Sequence, residues 1–255
     1  MEPELKGLHH ITAITSDAAV AVRFYTGFLG LKLVKKTVNF DDPTAYHLYF
    51  GDEEGRPGTI LTFFDWGTEI SHGQTVAGVT QHLAFTTKDD ASLARWKERL
   101  ERNGFPFLGP FDRRSFKSIY LRDPDGLIVE IATRGNGKGY DDSAYPESLL
   151  SRWRQPTPNP PKHSAPIVDP GMRLQGLHHV TALSYESSRA RTFYTDLLGL
   201  DATEETGQER AAGPSQNIYG LDGGAPGTMI GFIDSPEASQ GLVGIGTVHH
   251  IGFAV

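Results

Sequence analysis

The chain has 255 residues, a formal net charge of −7 and no cysteine. Because thiols are absent, disulfides, iron–sulfur clusters and cysteine catalysis are excluded, and any metal must be held by His, Asp or Glu. No basic run favours nucleic acid, and no apolar run approaches the roughly 20 residues that cross a bilayer. We therefore expect a cytoplasmic protein with neither a nucleic acid nor a membrane as partner.

The first structural unit predicted along the chain has the order β-α-β-β-β. A strand of apolar and β-branched residues begins near Gly7, and a helix follows with Ser16 or Asp17 as its N-cap and Gly30 at its end. Turn residues then separate three short strands, at 31–38, 46–50 and 59–64. A second unit of the same kind runs from about 78 to 133, with its helix near 90–103 and strands at 118–121 and 127–132.

The second half of the chain repeats the first at a constant offset of 169 residues. Gly7-Leu8-His9-His10 recurs as Gly176-Leu177-His178-His179 (7 to 176), and Phe24-Tyr25-Thr26 recurs as Phe193-Tyr194-Thr195 (24 to 193). A third unit therefore runs from 174 to about 235, and a fourth begins at Val248. Because one strand cannot bury its apolar face alone, we expect the native chain to continue past Val255.

These units predict an α+β fold in which repeated βαβββ modules pair into curved mixed β-sheets. We divide the chain into a first domain of two modules at 1–140, a Pro- and Gly-rich linker at 141–172, and an incomplete second domain at 173–255. Within the linker, Glu147–Arg154 is predicted to form a helical turn or two.

Seven of the ten histidines stand at the start of a unit's first strand, which indicates a metal site built by duplication. Adjacent residues of a strand point to opposite faces, so one ring of each His-His pair can enter a given pocket. The second unit has Gln81 where the others have a first histidine. The shared position is therefore the second one, and the predicted ligands are His10, His82, His179 and His250.

The carboxylate ligand is predicted in the last strand of the second unit. When the glycines that open the last strands are aligned, Glu130 matches Thr62 and Gly231. An acid between Val129 and Ile131 is costly to bury without a partner, and a cation would be that partner. The alternative is an acid at a strand edge or paired with an arginine. Two histidines and one carboxylate make the facial triad that holds Fe(II) and leaves coordination positions open.

These motifs resemble the vicinal oxygen chelate superfamily, which includes glyoxalases, bleomycin-resistance proteins and extradiol dioxygenases. The resemblance is carried by Gly7-Leu8-His9-His10-Ile11-Thr12, by Phe24-Tyr25 and by Asp123-Pro124-Asp125-Gly126 with Glu130. Residues 33–43, 46–51 and 56–59 are similar to a narrower group, the hydroquinone-type ring-cleaving dioxygenases. The resemblance implies a glyoxalase-like fold and an Fe(II) cofactor, with Mn, Zn or Ni as alternatives.

The resemblance also implies which residues act beside the metal. An arginine and a tyrosine seven residues apart precede the glutamate in the family, and Arg113 and Tyr120 match them here. We predict that Arg113, Tyr120 and His9 are catalytic, with His9, His178 or Tyr120 moving a proton. The alternatives are a solvated turn for Arg113 and a core aromatic for Tyr120. The implied partners are a small aromatic diol and dioxygen, and formation of a homo-oligomer is left open.

Two pairings of the units remain open at this point. If neighbours pair, His10, His82 and Glu130 form one site, and His179 and His250 another with an acid beyond the chain. If the outer units pair, His82 joins His179 and Glu130, whereas His10 joins His250 and the same acid beyond the chain. The leading function is ring cleavage by a non-haem Fe(II) dioxygenase. The alternatives are a glyoxalase-like metal-dependent lyase or isomerase and a metal-free binding protein of the bleomycin-resistance type.

Overall fold

The computed structural model describes residues 4–113, 115–135, 168–205, 216–236 and 239–255. The predicted helical segment Glu147–Arg154 lies outside these ranges. The division into domains at 140 and 173 stays a prediction.

Thirteen strands in the described ranges form two sheets. In chain order they are β1 (Gly7–Thr15), β2 (Lys32–Val38), β3 (Tyr46–Gly51), β4 (Ile60–Asp65), β5 (Thr80–Thr87), β6 (Phe107–Asp112), β7 (Lys117–Arg122), β8 (Ile128–Thr133), β9 (Leu177–Ser184), β10 (Asp201–Glu205), β11 (Gln216–Gly220), β12 (Met229–Asp234) and β13 (Val248–Ala254). One sheet has the order β13-β1-β4-β3-β2, and the other β10-β11-β12-β9-β5-β8-β7-β6.

The strand order pairs the two middle units with each other and the two outer units with each other. β5 of the second unit runs antiparallel to β9 of the third, and β1 runs antiparallel to β13. Within the first three units the first strand is parallel to the last, as in β5 with β8. The predicted α+β architecture of repeated βαβββ modules in mixed sheets is confirmed.

The helices lie close to their predicted positions. The first unit has a short α-helix, α1 (Ala18–Val22), which continues as a π-helical turn, Arg23–Phe28. The Asp17 carboxylate caps α1 by accepting from the backbone N–H groups of Ala19 and Val20. The second unit has the 13-residue helix α2 (Asp90–Arg102). β6 was not predicted, because Gly109-Pro110 interrupts its strand pattern.

A continuous apolar core joins the units. Trp96 of α2 is fully buried, and its indole N–H donates to the Met172 carbonyl at 2.9 Å. Arg99, one turn further on, donates to the Phe28 carbonyl at 3.1 Å and so attaches α2 to the first unit. Since the same core contains residues of β1, β5, β9 and β13, the two sheets form one packed body that holds the strand starts together.

The duplicated glycines at the strand starts allow two backbones to meet. Gly7 has φ +110°, and a Cβ there would lie 2.6 Å from the Gly227 carbonyl oxygen. Gly176 has φ +142°, and a Cβ there would lie 2.9 Å from the Gly58 oxygen. The following residues make matching hydrogen bonds at 2.7 Å, from Leu8 N to Gly227 O and from Leu177 N to Gly58 O. Only glycine fits this close approach, which explains the repeated Gly-Leu-His-His motif.

A buried carboxyl group connects the first two units and should make stability depend on pH. Asp123 is almost fully buried, and its Oδ2 accepts a 2.9 Å hydrogen bond from the Tyr25 hydroxyl. Burial, assisted by the nearby Asp125 charge, raises the pKa of Asp123 to about 7.

We expect Asp123→Asn to flatten the pH dependence of stability. Between pH 4 and 7 the folded Asp123 carboxyl keeps a proton that the unfolded chain has lost, so the free energy of unfolding falls as pH rises through this window. The fall is a few kcal/mol at most, since each pKa unit is worth about 1.4 kcal/mol. Urea unfolding at pH 4.5 and 7.5 measures it. The exposed control Asp201→Asn should keep the parent's slope, and an unchanged slope in Asp123→Asn would contradict the assignment.

Candidate metal centre

The sheet register places three predicted ligands on one face. The Ala84 Cα pairs with His179 on one side and with Glu130 on the other. His82 lies two residues before Ala84 and therefore points to the same face. Since Ala84 carries only a methyl group, it leaves room between the two longer side chains. We call His82, Glu130 and His179 the inner cluster.

The ligand atoms of the inner cluster lie close enough to share one cation. His82 Nε2 is 3.1 Å from Glu130 Oε2, His179 Nε2 is 3.0 Å from that oxygen, and the two nitrogens are 3.2 Å apart. Ligand atoms bound at about 2.1 Å to one cation and at right angles lie about 3.0 Å from one another, whereas tetrahedral angles need about 3.4 Å. The three distances fit one triangular face of an octahedron.

The chemistry of the inner cluster also suits a cation. Glu130 and His82 are fully buried, and neither Glu130 oxygen has a partner with hydrogen-bond geometry among the described residues. Burial raises the pKa of Glu130, but the two imidazoles outweigh this effect and hold that pKa well below its usual range. Burial lowers the pKa of His82. The low pKa of Glu130 favours the carboxylate and the low pKa of His82 favours the neutral ring, and these are the forms of the two side chains that bind metals.

Each proposed ligand ring is oriented by the side chain before it. The Gln81 Oε1 lies 3.1 Å from His82 Nδ1 and accepts a hydrogen bond from the N–H group there. The other ring nitrogen, Nε2, then faces the cluster without a proton. His178 Nδ1 lies 2.8 Å from His179 Nδ1. The residues preceding the shared histidines therefore lie beside the ligands rather than at a separate site.

Arg113 and Tyr120 lie next to the inner cluster. Tyr120 is the cross-strand partner of Glu130, and its ring meets the His82 ring edge to face at a centroid distance of 5.4 Å. The Arg113 guanidinium is fully buried and donates to the Tyr120 hydroxyl at 2.8 Å. Burial, followed by the Glu130 charge, raises the pKa of Tyr120 well above its usual value. Both residues thus lie beside the cluster. Arg113 is not in a solvated turn, and Tyr120 does not fill a purely apolar core.

The other predicted ligands, His10 and His250, meet in a second cluster between the first and fourth units. Their Nε2 atoms are 3.3 Å apart, and Thr12 Oγ1 lies 2.9 Å from His250 Nε2. Thr62, in the position of Glu130, bonds the Thr12 hydroxyl at 2.8 Å and lies 3.0 Å from His47 Nε2. We call these five residues the outer cluster; it contains no carboxylate among the described residues.

The predicted catalytic residue His9 lies beside His10 at the outer cluster rather than at the inner one, with 3.0 Å between the Nδ1 atoms of the two rings; its counterpart at the inner cluster is His178. Three other neighbours of the two clusters were not singled out as functional by the sequence. His47 joins the outer cluster, although no repeat marks it. Thr181 and Gln216 line a cavity beside His179. The 169-residue offset relates Thr181 to Thr12 and Gln216 to His47, and this relation would have indicated both residues.

The chain belongs to the Glyoxalase/Bleomycin resistance protein/Dioxygenase superfamily, whose sequence profile matches residues 7–131 and 176–255. Together with the fold and the inner cluster, this match confirms the resemblance to the vicinal oxygen chelate superfamily.

Ring-cleaving dioxygenases are among the relatives that match nearly the whole chain. The chain is 34% identical over 260 residues to MhqO of Bacillus subtilis, whose name describes a "putative ring-cleaving dioxygenase"; the match covers 99% of this chain and 70% of MhqO. It is 29% identical over 257 residues to the chlorohydroquinone/hydroquinone 1,2-dioxygenase of Sphingobium indicum, covering 98% of this chain and 71% of that protein.

Solved structures agree with the fold. A crystal structure of a "putative dioxygenase" from Bacillus subtilis superposes with a TM-score of 0.75 at 32% identity, covering 98% of this chain and 70% of that one. Glyoxalase I from Zea mays has a TM-score of 0.62 at 15% identity, covering 96% and 73%, which shows the shared fold alone. None of the helices in the described ranges is both long enough and apolar enough to cross a bilayer.

Proposed function

We propose that this protein is a non-haem Fe(II)-dependent dioxygenase that opens the ring of a small aromatic diol, and that His82, His179 and Glu130 hold the iron. The observation that carries the proposal is the buried triangle of one carboxylate and two imidazole ligand atoms with sides of 3.0–3.2 Å. Bound there, Fe(II) would supply the open coordination positions and the electrons that dioxygen chemistry requires. The names of the relatives support the substrate class.

The residues around the triad have distinct roles in this proposal. Gln81 fixes the tautomer of His82, so that the nitrogen facing the cluster keeps its lone pair. The Tyr120 hydroxyl, held by Arg113 at 2.8 Å, donates a hydrogen bond to a substrate oxygen at the cluster. The buried Arg113 charge stabilises negative charge that develops on the substrate. The buried surroundings of His82 and Glu130 exclude water from the reacting groups.

Oxygen uptake tests the proposed function. The anaerobically purified chain, loaded with Fe(II), should consume dioxygen when hydroquinone or catechol is added, and the product spectrum should show loss of the aromatic ring. Zn(II)-loaded protein is the control, since zinc has no redox chemistry. Stoichiometric metal binding without oxygen uptake for any diol would favour the lyase or isomerase alternative. Failure to bind metal would favour the binding-protein alternative.

Tyr120→Phe should reduce turnover without releasing the metal. The substitution keeps the ring beside His82 and removes the hydroxyl, so we expect kcat to fall about 100-fold while metal content stays at the parent's level. Tyr49→Phe is the matched control, because the Tyr49 hydroxyl contacts His47 in the outer cluster at 3.0 Å. Equal effects of the two substitutions on kcat would contradict the role given to Tyr120.

A further inference from the structure

The three residues of the inner cluster are buried. His82 and Glu130 are 0% exposed, and His179 is 3% exposed. The cavity beside His179 at Gly231 has no room for a water molecule. A small aromatic diol that reaches the cluster must therefore displace a side chain that covers it, and the identity of that side chain decides which diols enter.

Phe116 covers the inner cluster from the second unit. It lies four residues before Tyr120, the cross-strand partner of Glu130, so the Phe116 and Tyr120 side chains point to the face that carries the cluster. The Phe116 ring packs beside two imidazoles, at centroid distances of 4.7 Å from His178 and 5.9 Å from His179. The ring thus lies against one proposed ligand and against the residue that orients it.

The Phe116 ring also closes the contact between the second and third units. It packs in one apolar group with Ile218 of β11 and Met229 of β12. On its other side is a cavity of about 20 Å³, with room for one water molecule, whose lining includes Phe116, His178 and the exposed Arg134. None of the three inner-cluster residues lines that cavity. The rings of Phe116 and His178 therefore lie between the cluster and this part of the surface.

The duplicated chain has no ring at the equivalent position. The Phe116 carbonyl, directly before β7, accepts from Arg113 N at 2.8 Å, and the Ala45 carbonyl, directly before β3, accepts from Asn39 N at 2.8 Å. Ala45 is therefore the counterpart of Phe116. His250 of the outer cluster is exposed, whereas the inner ligands are buried. A ring at this position accompanies the closed cluster, and an alanine accompanies the open one.

We infer that Phe116 is a specificity-determining residue, whose ring closes the inner cluster and turns aside to admit a diol. The hydrogen bond from Arg113 N holds the Phe116 backbone, so the side chain moves rather than the strand. The inference rests on the proposed function for the metal and the diol at the inner cluster. It makes the size of the side chain at position 116 a limit on the size of the diol and on the rate of metal exchange.

Metal release tests the closure without turnover. Zn(II)-loaded protein is mixed with excess EDTA, and the loss of bound zinc is followed over time. Phe116→Ala removes the ring, so we expect release to become about tenfold faster, with the zinc content before mixing equal to the parent's. Phe116→Leu keeps a smaller apolar cover and should give an intermediate rate; it is an independent test if Phe116→Ala repacks. Phe64→Ala is the matched control, because the Phe64 ring lies beside His250 of the outer cluster at 6.3 Å, and it should keep the parent's rate.

Binding of two diols of different size tests the specificity. Naphthohydroquinone carries a fused second ring that hydroquinone lacks, and anaerobic calorimetry on the Zn(II)-loaded protein gives the ratio of their affinities. Because Phe116→Ala vacates the space of one ring, we expect the ratio of naphthohydroquinone to hydroquinone affinity to rise about tenfold. Phe64→Ala should leave the ratio unchanged.

The inference requires both changes. Release rates and affinity ratios within twofold of the parent's in both Phe116 variants would overturn it, and so would faster release with an unchanged ratio, which indicates loosened packing alone. Neither measurement depends on oxygen uptake. A parent that binds Zn(II) and both diols but consumes no dioxygen with Fe(II) would contradict the proposed dioxygenase activity and not the role of Phe116, so the two failures are distinguishable.

Discussion

Glu130→Gln is expected to abolish metal binding while the metal-free protein stays folded. The substitution keeps the size of the side chain but removes the only charge among the three proposed ligands, so we expect Fe(II) affinity to fall about 100-fold or more. Metal-free Glu130→Gln should be somewhat less stable than the metal-free parent but still folded, because the depressed pKa of Glu130 means that the folded protein favours the carboxylate that the substitution removes. Oxygen uptake with any diol should fall below detection.

Thermal unfolding separates loss of metal from loss of structure. A metal that binds only the folded state stabilises it by about 4 kcal/mol when it is present at 1,000 times its Kd. The parent should therefore show a large rise in Tm on addition of Fe(II) without oxygen, and Glu130→Gln should show none. Glu98→Gln, on the exposed face of α2, is the control and should keep the full rise. An undiminished rise in Glu130→Gln would remove Glu130 from the ligand set.

The repeat made the unit structure and the ligand types predictable. Four strand starts with one shared histidine indicate a common face, since side chains alternate along a strand. The same counting identified Glu130 as the one acid in its aligned position. Both arguments use local periodicity, which sequence alone carries. The short helix Ala18–Val22 and the strand β3 were predicted on the same basis.

The pairing of units was not predictable, because it depends on contacts far apart in the chain. β5 meets β9 across 97 residues from His82 to His179, and the sequence of β5 suits β1 or β9 equally well. The apolar core includes residues of all four first strands, so its composition is compatible with either pairing. The orienting role of Gln81 could not be predicted from the sequence either, because it depends on the distance between two side chains and not on a residue pattern.

A matched pair of histidine substitutions should distinguish the two clusters. His179→Gln removes a proposed ligand of the inner cluster, so we expect it to lose Fe(II) and oxygen uptake by about 100-fold or more. His10→Gln changes the equivalent histidine of the outer cluster and should leave metal content and kcat within about threefold of the parent. The reason is chemical: the outer cluster has Thr62 in the position of Glu130, and a neutral hydroxyl holds a divalent cation less strongly than a carboxylate.

Metal content per chain after dialysis measures the same difference directly. We expect one Fe(II) in the parent, one in His10→Gln and none in His179→Gln. If His10→Gln lost the metal and His179→Gln kept it, the outer cluster would be the metal centre, and the role proposed for Tyr120 at the inner cluster would be wrong. Since the inner ligand atoms form a triangle with sides of 3.0–3.2 Å around a buried carboxylate, the opposite result is expected.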